Sequence, residues 1–175
     1  PTSPCINAGT PDTTGLGLTA TDLDGNPCVL GCRVDMGAYE NTRSVGGNIS
    51  ANTIWDADTF YVNCDVNVAN GVTLTINPGA TVIFTGSYGM YVQGRLLAQG
   101  TAADSIRFTV ADTTGSAANT HTGWKGIRFN ETPATNDSSL LSYCILEYGK
   151  NVSITSDGYG GCLYVLEFSK LRLSN

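Results

Sequence analysis

From Ile49 onward the chain runs in short segments in which apolar and other residues alternate over three to five positions. Tyr61-Val62, Val66-Asn67-Val68, Leu74-Thr75-Ile76, Val82-Ile83-Phe84, Met90-Tyr91-Val92 and Ile106-Arg107-Phe108 are such runs. Ile127-Arg128-Phe129, Leu146-Glu147-Tyr148 and Leu163-Tyr164-Val165 continue the series. A two-residue period puts alternate side chains on opposite faces of an extended strand, so each run predicts a short β-strand with one buried face. Asn70-Gly71, Pro78-Gly79, Asp157-Gly158 and Gly160-Gly161 separate the runs, and these residues tolerate the positive φ of tight turns. No stretch carries the 3.6-residue period of an amphipathic helix. Residues 1 to about 42 read differently, with Pro1, Pro4, Pro11, Pro27 and scattered Gly and no long periodic segment.

The runs also recur. An aromatic two positions after an apolar residue stands at Phe84, Phe108, Phe129, Tyr148 and Phe168, and Leu146-Glu147-Tyr148 nearly repeats as Leu166-Glu167-Phe168. A period near twenty residues with three short strands predicts a solenoid, because one coil cannot bury its inner side chains until a neighbour stacks on it. An antiparallel sandwich also gives many short strands, but has no reason to repeat residue types at one phase. The expected fold is therefore all-β, a solenoid of stacked coils that follows an irregular N-terminal segment. On its best-defined strands the outward side chains are expected to be Thr75, Ile83, Tyr91, Arg107, Arg128 and Glu147.

Composition narrows the setting. Thr, Gly, Asn and Ser supply 70 of 175 residues while 14% are charged, well below the usual quarter, a balance that fits a β-rich extracellular protein. The net charge of -6 argues against nucleic acid as the main partner, and no apolar run is long enough to insert into a membrane. Six Cys with a single His fit an oxidising compartment better than structural zinc. Cys28 and Cys32 bracket a short Gly-containing loop and are the expected disulfide. Cys144 with Cys162 is an open second pairing, and six buried thiols are the alternative to both.

The stretch from Ile54-Trp55 through Asp65–Phe84, Gly94-Arg95-Leu96 and Ile106-Arg107-Phe108-Thr109 resembles the opening of right-handed parallel β-helix domains. Such domains belong to large secreted and cell-surface proteins, common in the Bacteroidota. Gly123-Trp124-Lys125-Gly126-Ile127, Tyr143–Gly149 and Gly160–Val165 resemble the coils that follow. Ser3–Gly9 with Asp22-Leu23-Asp24-Gly25-Asn26-Pro27 and Asp35–Glu40 resembles the segment that closes such a helix. Cys28 and Cys32 stand where the family pattern has Arg and Gly, which also favours their local disulfide. The resemblance implies a closing segment over 1–42, a linker over 43–48, and the first part of a second helix over 49–175. With closing before opening, and with Leu171–Asn175 reading as mid-coil, an interior piece of a longer, tandem protein is expected. It also points to Thr113, Ser105 and Thr13, each after an Asp, as O-glycosylation candidates. Asn48, Asn130, Asn136 and Asn151 begin N-x-S/T sequons, which matter only where the modifying machinery exists.

Parallel β-helices host polysaccharide lyases and glycosidases, and sugar hydrolysis needs two carboxylates about a glycosidic bond. No such pair is legible: Asp22 with Asp24, and Asp56 with Asp58, read as turn or cap residues, and His121 as a loop residue. No catalytic residue and no cofactor is expected. Calcium is the open alternative at Asp22, Asp24 and Asn26, although Pro27 and Arg33 occupy positions where an EF-hand needs Gly and an acid. Tyr88, Tyr91 and Tyr159 are the candidate platforms for sugar rings. The expected role is a non-catalytic, rigid stalk or adhesive segment that is secreted and attached to a cell surface. Its partners would be extracellular glycans or surface proteins. A polysaccharide-cleaving enzyme with its site elsewhere, and head-to-tail self-association into filaments, are the alternatives.

Overall fold

The computed structural model describes residues 3–10, 12–114, 123–150 and 161–175. His121, Asn151 and Tyr159 lie outside them. Among the described residues there is no helix, and the strands pair in parallel throughout.

One ladder joins β2 (Thr53–Trp55), β4 (Thr73–Ile76), β7 (Arg95–Gln99), β10 (Ser139–Ser142) and β13 (Leu171–Ser174). A second joins the first half of β3 (Thr59–Val68) to β5 (Thr81–Phe84), β8 (Ile106–Val110) and β11 (Cys144–Leu146). A third joins the second half of β3 to β6 (Gly89–Val92), β9 (Gly126–Asn130) and β12 (Leu163–Leu166). The chain visits the ladders in rotation, so each strand pairs with the strand one circuit earlier. Parallel pairing requires this, because parallel neighbours cannot be joined by a tight hairpin.

Register puts apolar side chains over apolar side chains. Trp55, Ile76, Ala98 and Leu141 form one inner row; Phe60, Val82, Phe108 and Leu146 form another; Val66, Met90, Ile127 and Leu163 form a third. Most of these are fully buried, and each such Val, Leu, Ile or Phe contributes about 1.5–3 kcal/mol over an exposed one. The strand alternation therefore becomes a continuous core. Rings close it: Trp55 stacks on Phe60 at 5.1 Å, Phe84 on Trp124 at 4.2 Å and Phe129 on Phe168 at 5.3 Å.

The corners are tight. A Cβ at Gly94 would lie 2.2 Å from the Val72 carbonyl oxygen and 2.3 Å from that of Ala69, so only Gly lets this corner close on the one before it. At the bend of β3, a Cβ on Gly46 (φ +152) would lie 2.5 Å from Cys64 Sγ.

Two expectations are corrected here, and one open pairing is not formed. Residues 43–48 are no linker: Ser44–Ile49 is strand β1, which runs parallel to β3 along both its halves. Cys28 and Cys32 do not pair; Cys32 is bonded to Cys64 on β3. The reason is local. Leu30 and Arg33 form an antiparallel bridge that turns the chain at Gly31, while Cys28 is drawn toward Thr19 Oγ1 (3.7 Å) with its N–H on the Ala20 carbonyl. Cys144 and Cys162 also remain thiols. Cys144 starts β11 in the second ladder and sits against the Ala98 and Ser142 carbonyls, whereas Cys162 precedes β12 in the third and faces the Gly149 N–H. Both pack partly buried against the core, and burial pushes the Cys144 thiol up to about 11 and raises that of Cys162.

The aromatic repeat is not one structural row either. Phe108 pairs with Val82 and Phe84 with Val110 in the second ladder, while Phe129 lies in the third. Leu146 and Leu166 end strands of different ladders, and the residues that follow are turns, with Tyr148 at φ 59° and Glu167 at φ 57°.

Candidate recognition surfaces

Each ladder turns one row of side chains outward, and neighbouring rungs are about 4.8 Å apart. On the third ladder the row is Asn48, Asn67, Tyr91, Arg128 and Tyr164. Asn67 Nδ2 donates to Asn48 Oδ1 at 3.2 Å. The Arg128 guanidinium lies 4.8 Å from the centre of the Tyr164 ring and Nη1 donates to the Lys125 carbonyl at 3.4 Å. Arg128 points out of the core as expected but is only 5% exposed. Beside this row Lys125 meets Asp65 at 3.3 Å, and Asp65 also accepts the Gly89 N–H at 2.8 Å.

Of the sugar platforms, Tyr91 is half-buried in this row and Tyr88 packs partly against the core. Tyr159 is outside the described residues. On the second ladder Arg107 meets Glu147 at 2.8 Å, and the arginine holds the Glu147 carboxyl below its ordinary value. On the first ladder the outward row is Ile54, Thr75, Leu97, Leu140 and Arg172, with Ile54 64% exposed. Of the O-glycosylation candidates, Thr113 is exposed while Ser105 and Thr13 are half-buried. Asp12 and Asp112, which precede Thr13 and Thr113, each accept the N–H two residues on.

The N-terminal segment is organised by carboxylates. Asp22 Oδ1 accepts the N–H groups of Asp24 (2.9 Å) and Asn26 (2.8 Å), and Oδ2 accepts that of Glu40 (2.9 Å). Asp35 accepts the N–H groups of Asn7 (2.6 Å) and Asn41 (2.7 Å), and Glu40 accepts that of Asp35 (3.0 Å). These three acids edge an open cavity of about 330 Å³ with Leu18, Leu23, Val34 and Ala38. Their oxygens hold the segment's own backbone, which suits a fold-organising role better than proton transfer. Among the described residues no group of three His, Cys, Asp or Glu is placed to hold a metal ion.

The Glu40 N–H, and then Asn26 and Asp24, hold the Asp22 carboxyl below its ordinary value. Burial raises that of Glu40, helped by the charges of Asp35 and Asp22. Asp22 thus contributes stability above its unfolded-state value and loses it as pH falls through its lowered folded value. Glu40 runs the other way: its contribution is full below the unfolded value and is lost as pH rises through the raised one. At neutral pH, Asp22→Asn is expected to speed amide exchange of Asp24, Asn26 and Glu40. Glu40→Gln, which keeps an acceptor for the Asp35 N–H, is expected to slow it. Shifts of the same sign in both variants would contradict this assignment.

Asn136 is a residue that the sequence hides. It looks like part of a polar loop, yet it is only 7% exposed. Its Oδ1 accepts the Gly71 N–H at 3.0 Å, and its Nδ2 donates to Asn70 Oδ1 (3.0 Å) and to the carbonyls of Gln93 (2.8 Å) and Pro133 (3.2 Å). Lys170 Nζ donates to its backbone carbonyl at 3.0 Å. One amide thereby ties together corners of successive circuits.

No family model matches the chain, and no solved structure matches it. One relative is a very long animal protein. A stretch of 72 residues, 41% of the chain, is 36% identical to Protein bark beetle of Drosophila melanogaster. The match spans 2% of that protein's length.

Proposed function

We propose that the chain is a non-catalytic structural and adhesive segment of a large secreted or cell-surface protein. In this reading the three ladders are the faces of a right-handed parallel β-helix, a rigid stalk whose outer rows meet glycans or partner surfaces. The observation that carries it is the rotation of the chain through three parallel ladders around one core. That arrangement fixes outward side chains at a constant spacing and leaves little freedom to rearrange. Three further points support it: the clustered carboxylates of the N-terminal segment are occupied by backbone donors, a disulfide fits an oxidising compartment, and a short stretch resembles part of a far longer protein.

The third ladder offers the most suitable chemistry for a glycan, because the Asn67 amide and the Tyr91 ring stand on adjacent rungs. A glycan array probed with the whole chain is expected to give binding that Tyr91→Ala weakens about tenfold, or ~1.4 kcal/mol. Incubation with the same polysaccharides is expected to release no new sugar ends. Turnover by this chain would overturn the non-catalytic reading, and undiminished binding by the variant would remove the third ladder as the contact.

A further inference from the structure

The sequons are not equivalent in the fold. At Asn136-Asp137-Ser138 the Asn is buried and its amide nitrogen donates to three acceptors. An N-linked sugar leaves that nitrogen one hydrogen and needs space that is absent there. At Asn130-Glu131-Thr132 the Asn Oδ1 is buried, Thr132 is 4% exposed, and its hydroxyl donates to the Val92 carbonyl. At Asn48-Ile49-Ser50, by contrast, both Asn48 and Ser50 are exposed, and Asn48 lies one residue from the end of β1.

The geometry around Asn48 suits the modified amide. Its only side-chain bond among the described residues uses Oδ1, which accepts from Asn67 Nδ2. Glycosylation takes place at Nδ2 and leaves that acceptor intact, so Asn67 holds the amide plane with the nitrogen turned to solvent. Asn48 and Ser50 also stand at an open cleft of about 440 Å³ that Val29, Leu30, Ile49 and Trp55 help to line. A sugar chain there lies over exposed Val29 and half-buried Leu30 and Ile49 beside β1. Strand β1 pairs with β3 alone among the described strands, and unpaired edges invite association unless something blunts them.

We infer that Asn48 is an N-glycosylation site and that Asn130 and Asn136 stay unmodified in the folded protein. The inference rests on the secretory reading above. In the reaction Asn48 Nδ2 attacks the anomeric carbon of a lipid-diphosphate-linked oligosaccharide. The bond from that carbon to the phosphate oxygen breaks, the lipid diphosphate leaves with the electron pair, and the amide gives up one proton. Transfer precedes folding, so a chain modified at Asn136 keeps one amide hydrogen for three acceptors, cannot seat its sugar at the buried corner, and is lost from the folded pool.

The test expresses the whole chain through the secretory pathway of insect cells. Total and secreted protein are digested with an amidase that removes N-glycans in heavy-oxygen water, and labelled Asp is mapped by mass spectrometry. Label at position 48, abolished by Ser50→Ala, and none at 130 or 136 in the secreted fraction is the expected result. An unlabelled position 48, or label at 130 or 136 in secreted, disulfide-bonded chain, overturns it. The state of Cys32 and Cys64 in the same digest separates the two levels. With the disulfide formed and Asn48 bare, the site alone fails; with both thiols reduced, the secretory reading fails as well.

Discussion

Trp124→Ala is expected to lower stability by about 3–5 kcal/mol, the range for removing a large buried ring. Trp124 is fully buried and spans two circuits, with its ring stacked on Phe84 at 4.2 Å and facing Phe108 at 6.0 Å. Its Nε1 donates to the Glu147 carbonyl at 2.8 Å, and its own carbonyl accepts the Lys150 N–H at 2.7 Å. Alanine removes the stacking and leaves both a cavity and an unsatisfied carbonyl. Trp124→Phe keeps a ring and loses the donor, so it separates the two effects and should cost about 1–3 kcal/mol, mainly through the orphaned Glu147 carbonyl. Urea unfolding of the two variants measures this. A loss below about 1 kcal/mol for the alanine variant would mean that the stack contributes far less than such a ring normally does.

The second large effect belongs to the disulfide. Cys32 and Cys64 are 32 residues apart in sequence, and closing a loop of that length stabilises by about 3–4 kcal/mol in the chain-entropy account. The expected loss in Cys32→Ser with Cys64→Ser is unevenly spread. Besides this bond, residues 3–42 are held to the strands by contacts such as that of Asn7 Nδ2 with Ser44 Oγ at 2.9 Å. Amide protection of Asp24, Asn26 and Glu40 should therefore collapse first, while Leu74, Leu96 and Phe108 in the ladders keep theirs. Equal loss at both sets would show that the segment and the ladders unfold as one unit. Protection unchanged at both would show that the bond constrains nothing.

Much of the strand pattern was legible, because burial of one strand face writes itself directly into alternation. Val82-Ile83-Phe84, Met90-Tyr91-Val92, Ile106-Arg107-Phe108 and Ile127-Arg128-Phe129 lie in β5, β6, β8 and β9 with the expected faces inward. What alternation does not encode is which circuit lies beside which. The spacings of 24 and 21 residues between Phe84, Phe108 and Phe129 suggest one row, but insertions between strands place them in different rows. Strand β10 carries little alternation to read: Ser139–Ser142 follows a polar run and its core contribution is Leu141, with Ser139 buried beneath a hydrogen bond from the Leu96 N–H at 3.0 Å.

The candidate site was less legible than the fold. Alternation alone turns Tyr91 outward, and the fold places it in the outer row of the third ladder. Alternation turns Arg128 outward too, but its cover by Tyr164 depends on contacts far apart in sequence. The sequence hides the Cys32–Cys64 bond because Ser44-Val45-Gly46-Gly47 lacks the bulky alternation of a strand, and its two Gly fit close against Cys64 and Gly31. The role of Asn136 had no sequence signal beyond a polar residue among others.

The parallel ladders underlie every claim about outward rows, and nuclear Overhauser contacts between backbone protons test them most directly. The account predicts the cross-strand pattern of parallel pairing at Leu74 with Leu96, Val82 with Phe108 and Met90 with Ile127. Close Hα–Hα contacts between sequential strands, the mark of antiparallel pairing, would contradict it. They would return the chain to a sandwich, with different outer rows and no stalk.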